Sequence, residues 1–172
     1  MPAWTAIEQN RSAMVREMHA WWLAHRGASG VPDRGDLDPA ALRSLLPNLF
    51  ITEIEPEPFR VRYRLVGTKS ARVIGFDITG RYLDELLSAQ PDVPWLDYYR
   101  QACESRRPVL GAVTVPARSG GTFSYEFGLF PLTQGGTEIA QVAAIEDYFD
   151  FDLTAAQLVG GPPSTGSSGK GR

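Results

Sequence analysis

Residues 59–65 alternate strictly between apolar and arginine side chains, and this pattern limits the fold more than any other feature of the sequence. The alternating residues are Phe59, Arg60, Val61, Arg62, Tyr63, Arg64 and Leu65. Successive side chains of a strand point to opposite faces, so this period predicts a strand with one apolar and one cationic face. Residues 50–55 alternate less regularly, and Pro56-Glu57-Pro58 joins the two runs, which predicts a hairpin.

Pairing the two runs also predicts which residues lie opposite each other. The expected partners are Phe50 with Leu65, Thr52 with Tyr63, Ile54 with Val61, Glu53 with Arg62, and Glu55 with Arg60. One face of the hairpin is therefore expected to join the core, and the other to carry a ladder of opposite charges. We interpret the arginines as ion-pair partners and not as a nucleic-acid site, because the aromatic residues of this strand lie on its opposite face.

Helical patterns and three further strand-like runs follow the hairpin. Between residues 68 and 106 the apolar spacing changes to three and four, which predicts short helices, the first ending at Gly75. The strand-like runs cover residues 108–116, 122–132 and 138–148. Five short strands joined by hairpins predict an α+β fold, in which the helical middle folds back over one face of an antiparallel sheet.

Residues 1–27 are predicted to form an amphipathic helix. Thr5 and Glu8 have capping-box spacing, and apolar residues recur from Trp4 onward at steps of three and four. This stripe is wider than one pair of strands could cover, so we expect it to form a homodimer interface. The expected interface residues are Met14, Met18, Trp21 and Trp22. A second short helix is predicted from Asp38-Pro39 to Leu46.

Length and composition complete the domain organisation. The chain of 172 residues has room for one domain of ordinary size. We assign 1–27 to the first helix, 28–152 to the folded domain, and 153–172 to a short helix and a disordered tail rich in Gly and Ser. The net charge is −3, and the sequence has no apolar run of membrane-spanning length and no signal-peptide pattern. We therefore expect a cytoplasmic protein that binds neither nucleic acid nor membranes.

Two motifs resemble the PAS family of sensor domains. The run Tyr63-Arg64-Leu65-Val66-Gly67-Thr68, followed by Gly75 and residues 77–83, is similar to the PAS core signature. Residues 36–39 and 45–50 resemble the segment before the core in a PAS-like subfamily common in alphaproteobacteria. The resemblance extends over roughly residues 19–148. It implies a five-stranded antiparallel sheet with flanking short helices, an optional ligand cavity, and a sensory or partner-binding role that is usually not catalytic.

The resemblance places a candidate ligand pocket between the sheet and the helical middle. Its expected lining is Tyr63, Thr68, Arg72, Ile74, Tyr98, Phe123 and Tyr125. The aromatic members of this set are equally typical of a plain core, and the sequence leaves both interpretations open. Haem is disfavoured because residues 26–172 contain no histidine, and flavin photochemistry because the Asn-Cys-Arg motif of flavin-binding relatives is absent.

Other reactive residue types are given structural interpretations. Cys103 has no neighbouring histidine and is interpreted as a structural cysteine. His19 and His25 are six residues apart and do not share a helical face, so no metal site is expected. The acidic residues near the end of the last strand are interpreted as a solvated terminus. They are Glu146, Asp147, Asp150 and Asp152.

We therefore predict a stand-alone sensory or adaptor domain of the PAS type. It is expected not to be an enzyme, and to act in signalling by binding a small molecule or a protein partner. Two alternatives stay open. One is a small α+β enzyme with a cone-like fold, such as an isomerase, which would need a general base in its pocket. The other is a structural dimerisation module with a filled core.

Overall fold

The computed structural model describes residues 3–4, 6–87, 92–117 and 120–149. Within these ranges the strands are β1 Ala3–Trp4, β2 Leu49–Pro56, β3 Phe59–Val66, β4 Val109–Pro116, β5 Thr122–Thr133 and β6 Ile139–Asp147. The α-helices are α1 Ala13–Ala24, α2 Thr68–Ile74 and α3 Trp95–Ser105. Single 3₁₀ turns occur at Ile7–Gln9, Arg34–Asp36, Leu46–Asn48 and Leu83–Glu85. The predicted helix and tail over 153–172 lie outside the described residues.

The strands form one antiparallel sheet in the order β1-β4-β5-β6-β2-β3. The predicted fold class, a five-stranded antiparallel sheet with short helices, is confirmed. The two-residue strand β1 extends this sheet at the β4 edge, where Trp4 pairs with Leu110. At the other edge, β3 is bridged by the segment that follows α2, since Tyr63 N–H donates to Arg81 O at 2.9 Å.

The β2–β3 hairpin has the predicted register along most of its length. The confirmed pairs are Thr52 with Tyr63, Ile54 with Val61, Glu53 with Arg62, and Glu55 with Arg60. A bulge between Ile51 and Thr52 shifts the register beyond this point, so Phe50 pairs with Val66 and the predicted pairing with Leu65 is wrong. A one-residue shift moves side chains to the other face, and Leu65 is exposed.

The charge ladder on this hairpin is more branched than predicted. Glu53 forms ion pairs with both Arg62 and Arg64. Arg60 instead binds Asp84 at 2.9 Å, and its guanidinium lies 3.5 Å from the centroid of the Tyr82 ring. Through Arg60, these contacts hold the edge strand β3 against the segment after α2, which contains Tyr82 and Asp84.

Helices and loops cover both faces of the sheet. On one side, which we call the inner face, α2 and α3 pack on a core that includes Val61, Val113 and Phe127. On the other side, the outer face, α1 and residues 31–46 pack on a second core. The sheet is therefore the middle of three layers.

The N-terminal segment is not the continuous helix that the sequence predicts. Trp4 lies in β1, Thr5 lies outside the described residues, and α1 begins only at Ala13. Ser12 is the N-cap, and its hydroxyl accepts the Val15 N–H at 3.1 Å. The start is delayed because Asn10 and Ser12 bond to nearby backbone groups and so compete with the helix.

The predicted helix over 38–46 is also wrong. Residues 39–45 form turns, and a single 3₁₀ turn, Leu46–Asn48, leads directly into β2. Pro47 lies inside this turn, and proline has no N–H with which to continue an α-helix. The apolar residues of the segment reach the outer core all the same, since Leu42 and Leu45 are buried.

Two buried carboxylates fix the start of α1 against the sheet. Glu126 on β5 and Asp147 on β6 are cross-strand neighbours and are buried. Glu126 accepts the backbone N–H groups of Arg11 and Ser12 at 2.7 and 2.9 Å. Asp147 accepts the Ser12 hydroxyl at 2.7 Å. Negative charge is favourable at a helix N-terminus, so the sheet determines where α1 begins.

Replacing Ser12 with alanine is expected to lower the free energy of unfolding by about 2 kcal/mol, because the N-cap and a bond to a buried carboxylate are lost together. Urea denaturation measures this change. Ser44→Ala is the matched control, since Ser44 is exposed and donates to Glu17 on the surface. The control is expected to change the stability by less than about 0.5 kcal/mol. Equal stability of the two variants would contradict an anchoring role for Ser12.

Candidate functional site

A carboxyl group and three phenols lie together in the inner core. Side chains alternate along β6, so Glu146 faces the inner side and Asp147 the outer side. Just beyond the strand, Tyr148 is buried on the inner side, and its hydroxyl donates to Glu146 Oε2 at 2.5 Å. Tyr63 of β3 and Tyr99 of α3 are close enough to Glu146 to interact with its charge. Strands β3 and β6, helix α3 and the residue just beyond β6 thus converge on one polar cluster.

Burial governs the protonation of this cluster. Glu146 is half-buried as a residue, and desolvation of its carboxyl raises its pKa to about 7, against the opposing effect of the Tyr148 hydrogen bond. Desolvation also raises the pKa values of Tyr63, Tyr99 and Tyr148, so all three stay neutral phenols. Near neutral pH, Glu146 can therefore gain or lose a proton inside an otherwise apolar core.

Neighbouring polar groups hold the cluster but leave one hydroxyl unsatisfied. Asn48 Nδ2 donates to the backbone carbonyl of Glu146 at 2.6 Å. Ser70 of α2 is fully buried beside Tyr148, near enough for its hydroxyl to lower the pKa of that phenol, but no partner among the described residues lies at ordinary hydrogen-bond distance from it. Most buried polar atoms have a partner at ordinary distance, so Ser70, which interacts only weakly with Tyr148, has bonding capacity that a bound molecule could satisfy.

The predicted ligand-binding residues fall into two groups. Five lie in the inner core or against it: Tyr63, Ile74, Tyr98, Phe123 and Tyr125. Thr68 and Arg72 lie on the exposed side of α2, because this helix turns Ser70 and Val73 toward the sheet. Thr68 and Arg72 therefore do not line the interior. A ligand-binding role for the other five stays a prediction.

The aromatic rings of the inner core pack against one another. Trp95 and Tyr98 of α3 lie with their ring centroids 4.9 and 5.5 Å from that of Phe127 on β5. The rings of Tyr125 and Tyr148 are 5.2 Å apart. These distances are typical of stabilising aromatic pairs, so the rings contribute to the core whether or not a ligand lies among them.

The interpretation of Glu146 and Asp147 as part of a solvated terminus is wrong. The sheet continues to Asp147, and both residues therefore lie against packed layers. A sequence signal was present, since Val142, Ala144 and Glu146 occupy one side of the strand in alternation before Tyr148. Asp150 and Asp152 lie outside the described residues.

The predicted interface residues lie in the outer core. Met18, Trp21 and Trp22 are buried, and Met14 is half-buried against them. Trp22 Nε1 also donates to Pro131 O at 2.8 Å, which ties α1 to β5. The apolar stripe on which the interface prediction depends is thus covered by the chain itself, because residues 31–46 and the outer face of the sheet enclose it. The homodimer stays a prediction.

Of the remaining reactive groups, Cys103 lies near Tyr99 on α3, and both histidines lie apart from the polar cluster. Burial raises the pKa of the half-buried Cys103 thiol to about 12. The thiolate is the nucleophilic form, so a raised pKa favours a structural cysteine over a nucleophile. His19 and His25 lie in and just after α1, on the outer side of the sheet. Within the described ranges, no group of three or more His, Cys, Asp or Glu residues could hold a metal ion. No helix there is long and apolar enough to cross a bilayer.

Comparisons with solved structures find light-oxygen-voltage proteins at low sequence identity. An RNA-binding light-oxygen-voltage receptor is 19% identical over 68% of this chain, with a TM-score of 0.47, and the chain spans 35% of its length. A light-oxygen-voltage domain studied with a flavin analogue is 16% identical, with 66% of this chain and 84% of that chain covered and a TM-score of 0.49. A light-oxygen-voltage protein from Rhodobacter sphaeroides is 13% identical, with 66% and 68% covered and a TM-score of 0.48.

Comparison with family models identifies the family of this chain. No curated protein matches the sequence. A family model described as a PAS domain matches residues 10–145, which include β2 to β5, nearly all of β6 and the three α-helices. Because this match extends over most of the chain, the protein belongs to the PAS domain family.

Proposed function

We propose that this chain is a non-catalytic sensory domain of a signalling system, and that its signal is a small molecule bound between the sheet and helices α2 and α3. Membership of the PAS family supports the sensory role, since domains of this family are generally sensory and not catalytic. The ligand part of the proposal depends on one observation, the polar cluster of Glu146, Tyr148 and Ser70 inside the inner core.

The chemistry of the cluster defines the expected ligand. A buried hydroxyl that lacks a good hydrogen bond is unfavourable, and a ligand that bonds to Ser70 would recover part of this free energy. The tyrosines stay neutral, and the surrounding residues are apolar. The best-suited ligand is therefore small and mainly apolar, with at least one hydrogen-bonding group directed at Ser70 and Tyr148.

The packed aromatic rings favour a second candidate function. If Trp95, Tyr98 and Phe127 fill the interior completely, the domain would act as an adaptor through contacts with a protein partner. For an enzyme, Glu146 is the best-placed general base, because its pKa is raised to about 7 and it lies inside the inner core. These alternatives differ from the sensory proposal in whether a ligand binds and whether it is turned over.

The test combines native mass spectrometry of the purified protein with a thermal-shift screen of metabolites, lipids and flavins. A ligand specific for the folded state adds about 2.7 kcal/mol at a hundredfold excess over its Kd. Ser70→Ala and Tyr63→Phe are expected to reduce the thermal shift. Thr68→Ala is the matched control on the same helix, because Thr68 is exposed, and it should leave the shift unchanged.

Each contrary result has a distinct meaning. The absence of both a retained ligand and a stabilising compound would favour the adaptor. A shift reduced equally by Thr68→Ala would place the binding site elsewhere. Turnover of a stabilising compound that is lost in Glu146→Gln would identify an enzyme.

A further inference from the structure

The carboxyl group of the inner core has no counter-ion among the residues that the structure describes. Glu146 forms no ion pair with any of them, and its carboxyl accepts the hydroxyl of the neutral Tyr148. On α2, Lys69 donates to Phe149 O at 3.3 Å at the surface, and Arg72 is exposed. A charge in apolar surroundings is unfavourable unless it is paired. The ionised carboxyl therefore lacks a positive partner.

Aromatic rings from three parts of the chain lie around this carboxyl. Tyr63 of β3 and Tyr99 of α3 are close enough to interact with its charge, and Tyr148 follows β6. Further rings lie behind two of these phenols. Between ring centroids, Phe50 is 5.8 Å from Tyr63, and Tyr125 is 5.2 Å from Tyr148. The face of an aromatic ring attracts cations, so the rings and the carboxyl favour the same sign of charge in a ligand.

Ser70 gives the same place a second polar contact. It is fully buried beside Tyr148, and no described partner lies at ordinary hydrogen-bond distance from its hydroxyl. A hydroxyl oxygen accepts hydrogen bonds and an ammonium group has up to three N–H donors, so one ammonium can serve both Ser70 and Glu146. Glu146 lies on a strand inside the sheet but is only half-buried, so a small molecule can reach its carboxyl.

We propose that the ligand of the inner core is a small organic amine in its protonated form. Its ammonium group pairs with Glu146 and donates to Ser70, and its apolar part lies among the surrounding rings. An organic acid is disfavoured by the like charge, and a neutral alcohol leaves the carboxylate without a counter-ion. This inference rests on the proposed function, because it names the chemical class of ligand for the same site.

Three compounds of matched shape and different charge test the proposal. They are isoamylamine, isoamyl alcohol and isovalerate, and each is titrated into ¹⁵N-labelled protein near pH 8. Chemical-shift changes at inner-core residues give the Kd. The amine is expected to bind about tenfold or more tightly than the alcohol, because hydrogen bonds to charged groups are the stronger ones. Isovalerate is expected not to bind.

The affinity for the amine is also expected to increase with pH. An alkylamine stays protonated up to pH 8, whereas burial raises the pKa of Glu146 to about 7, so the carboxylate partner forms between about pH 6 and pH 8. The Kd for isoamylamine should fall by about tenfold over this range if the ionised carboxyl is required. The neighbouring phenols of Tyr63, Tyr99 and Tyr148 do not titrate there, because burial raises their pKa values, as it does that of Cys103.

Glu146→Gln removes the charge and keeps an oxygen that can accept the Tyr148 hydroxyl. Near pH 8 it should weaken amine binding by about tenfold or more, remove the pH dependence and leave the Kd of the alcohol unchanged. Glu104→Gln is the matched control, since it removes the same charge from an exposed position on α3. It should leave both Kd values unchanged.

Four results would overturn the assignment to amines. They are an alcohol that binds at least as tightly as the amine, an amine Kd in the wild-type protein that does not change with pH, equal weakening by Glu104→Gln, and binding of none of the three compounds. The proposed function would survive the first of these if Ser70→Ala weakened binding of the alcohol. After the last, a ligand retained by the purified protein would decide the proposed function separately.

Discussion

Gly67→Ala is expected to destabilise the protein by about 3 kcal/mol or more, the upper part of the range for overpacked sites. A Cβ at position 67 would lie 2.4 Å from the carbonyl oxygens of Leu46 and Pro47, closer than any real contact of this kind. These are backbone atoms, so no side-chain rotation can relieve the clash. Gly67 itself cannot move easily, because its N–H donates to Leu49 O at 2.7 Å and its carbonyl accepts Ala71 N–H at 2.9 Å.

Urea denaturation of Gly67→Ala and Gly27→Ala separates this clash from a general effect of adding a methyl group. A Cβ at Gly27 meets no atom within 4 Å, so this control should change the stability by less than about 0.5 kcal/mol. Wild-type stability of Gly67→Ala would mean that the turn at Leu46–Asn48 can move away from β3 at little cost.

The parts of the fold that were predicted correctly depend on local signals. The β2–β3 pairing follows from alternation within a few residues, and α2 ends as expected because Gly75 adopts the left-handed conformation at φ 90°. The N-terminal segment instead depends on distant partners. Trp4 pairs with Leu110, and Glu126 binds the start of α1. Helical spacing cannot reveal either contact, because both are tertiary.

The candidate site was predicted less well, for a related reason. Tyr63 was identified because the strand pattern specifies its face, and its place against the inner core agrees. Thr68 and Arg72 were chosen from a helix whose rotation the sequence does not specify, and that rotation turns both to solvent. Glu146 was missed because an acidic residue is expected at the surface, whereas the fold places it in the inner core near Tyr63 of β3 and Tyr99 of α3.

The second large effect is expected from the protonation of Glu146. The ordinary pKa of a glutamate, 4.5, applies to the unfolded chain, and desolvation raises the pKa to about 7 in the folded protein. Between these values the unfolded state has released the proton while the folded state retains it. The free energy of unfolding therefore falls as pH rises through this window, by up to about 3 kcal/mol in total. The stability of the protein with Glu146 protonated is therefore fully present below the unfolded pKa. It is lost as the pH rises through the folded pKa and the buried carboxyl ionises.

Glu146→Gln isolates this effect, because the amide is neutral at every pH and its oxygen can still accept the Tyr148 hydroxyl. Urea denaturation from about pH 5 to pH 8 is expected to show a stability difference that grows with pH in favour of the variant. Glu104→Gln, at an exposed position on α3, should give a profile parallel to that of the wild type. If the pH profile of the stability of Glu146→Gln were also parallel to that of the wild type, the Glu146 carboxyl would have to ionise in the folded state without a loss of stability. The inner core would then open to water at Tyr148, and the case for a dry ligand site beside Ser70 would fail with it.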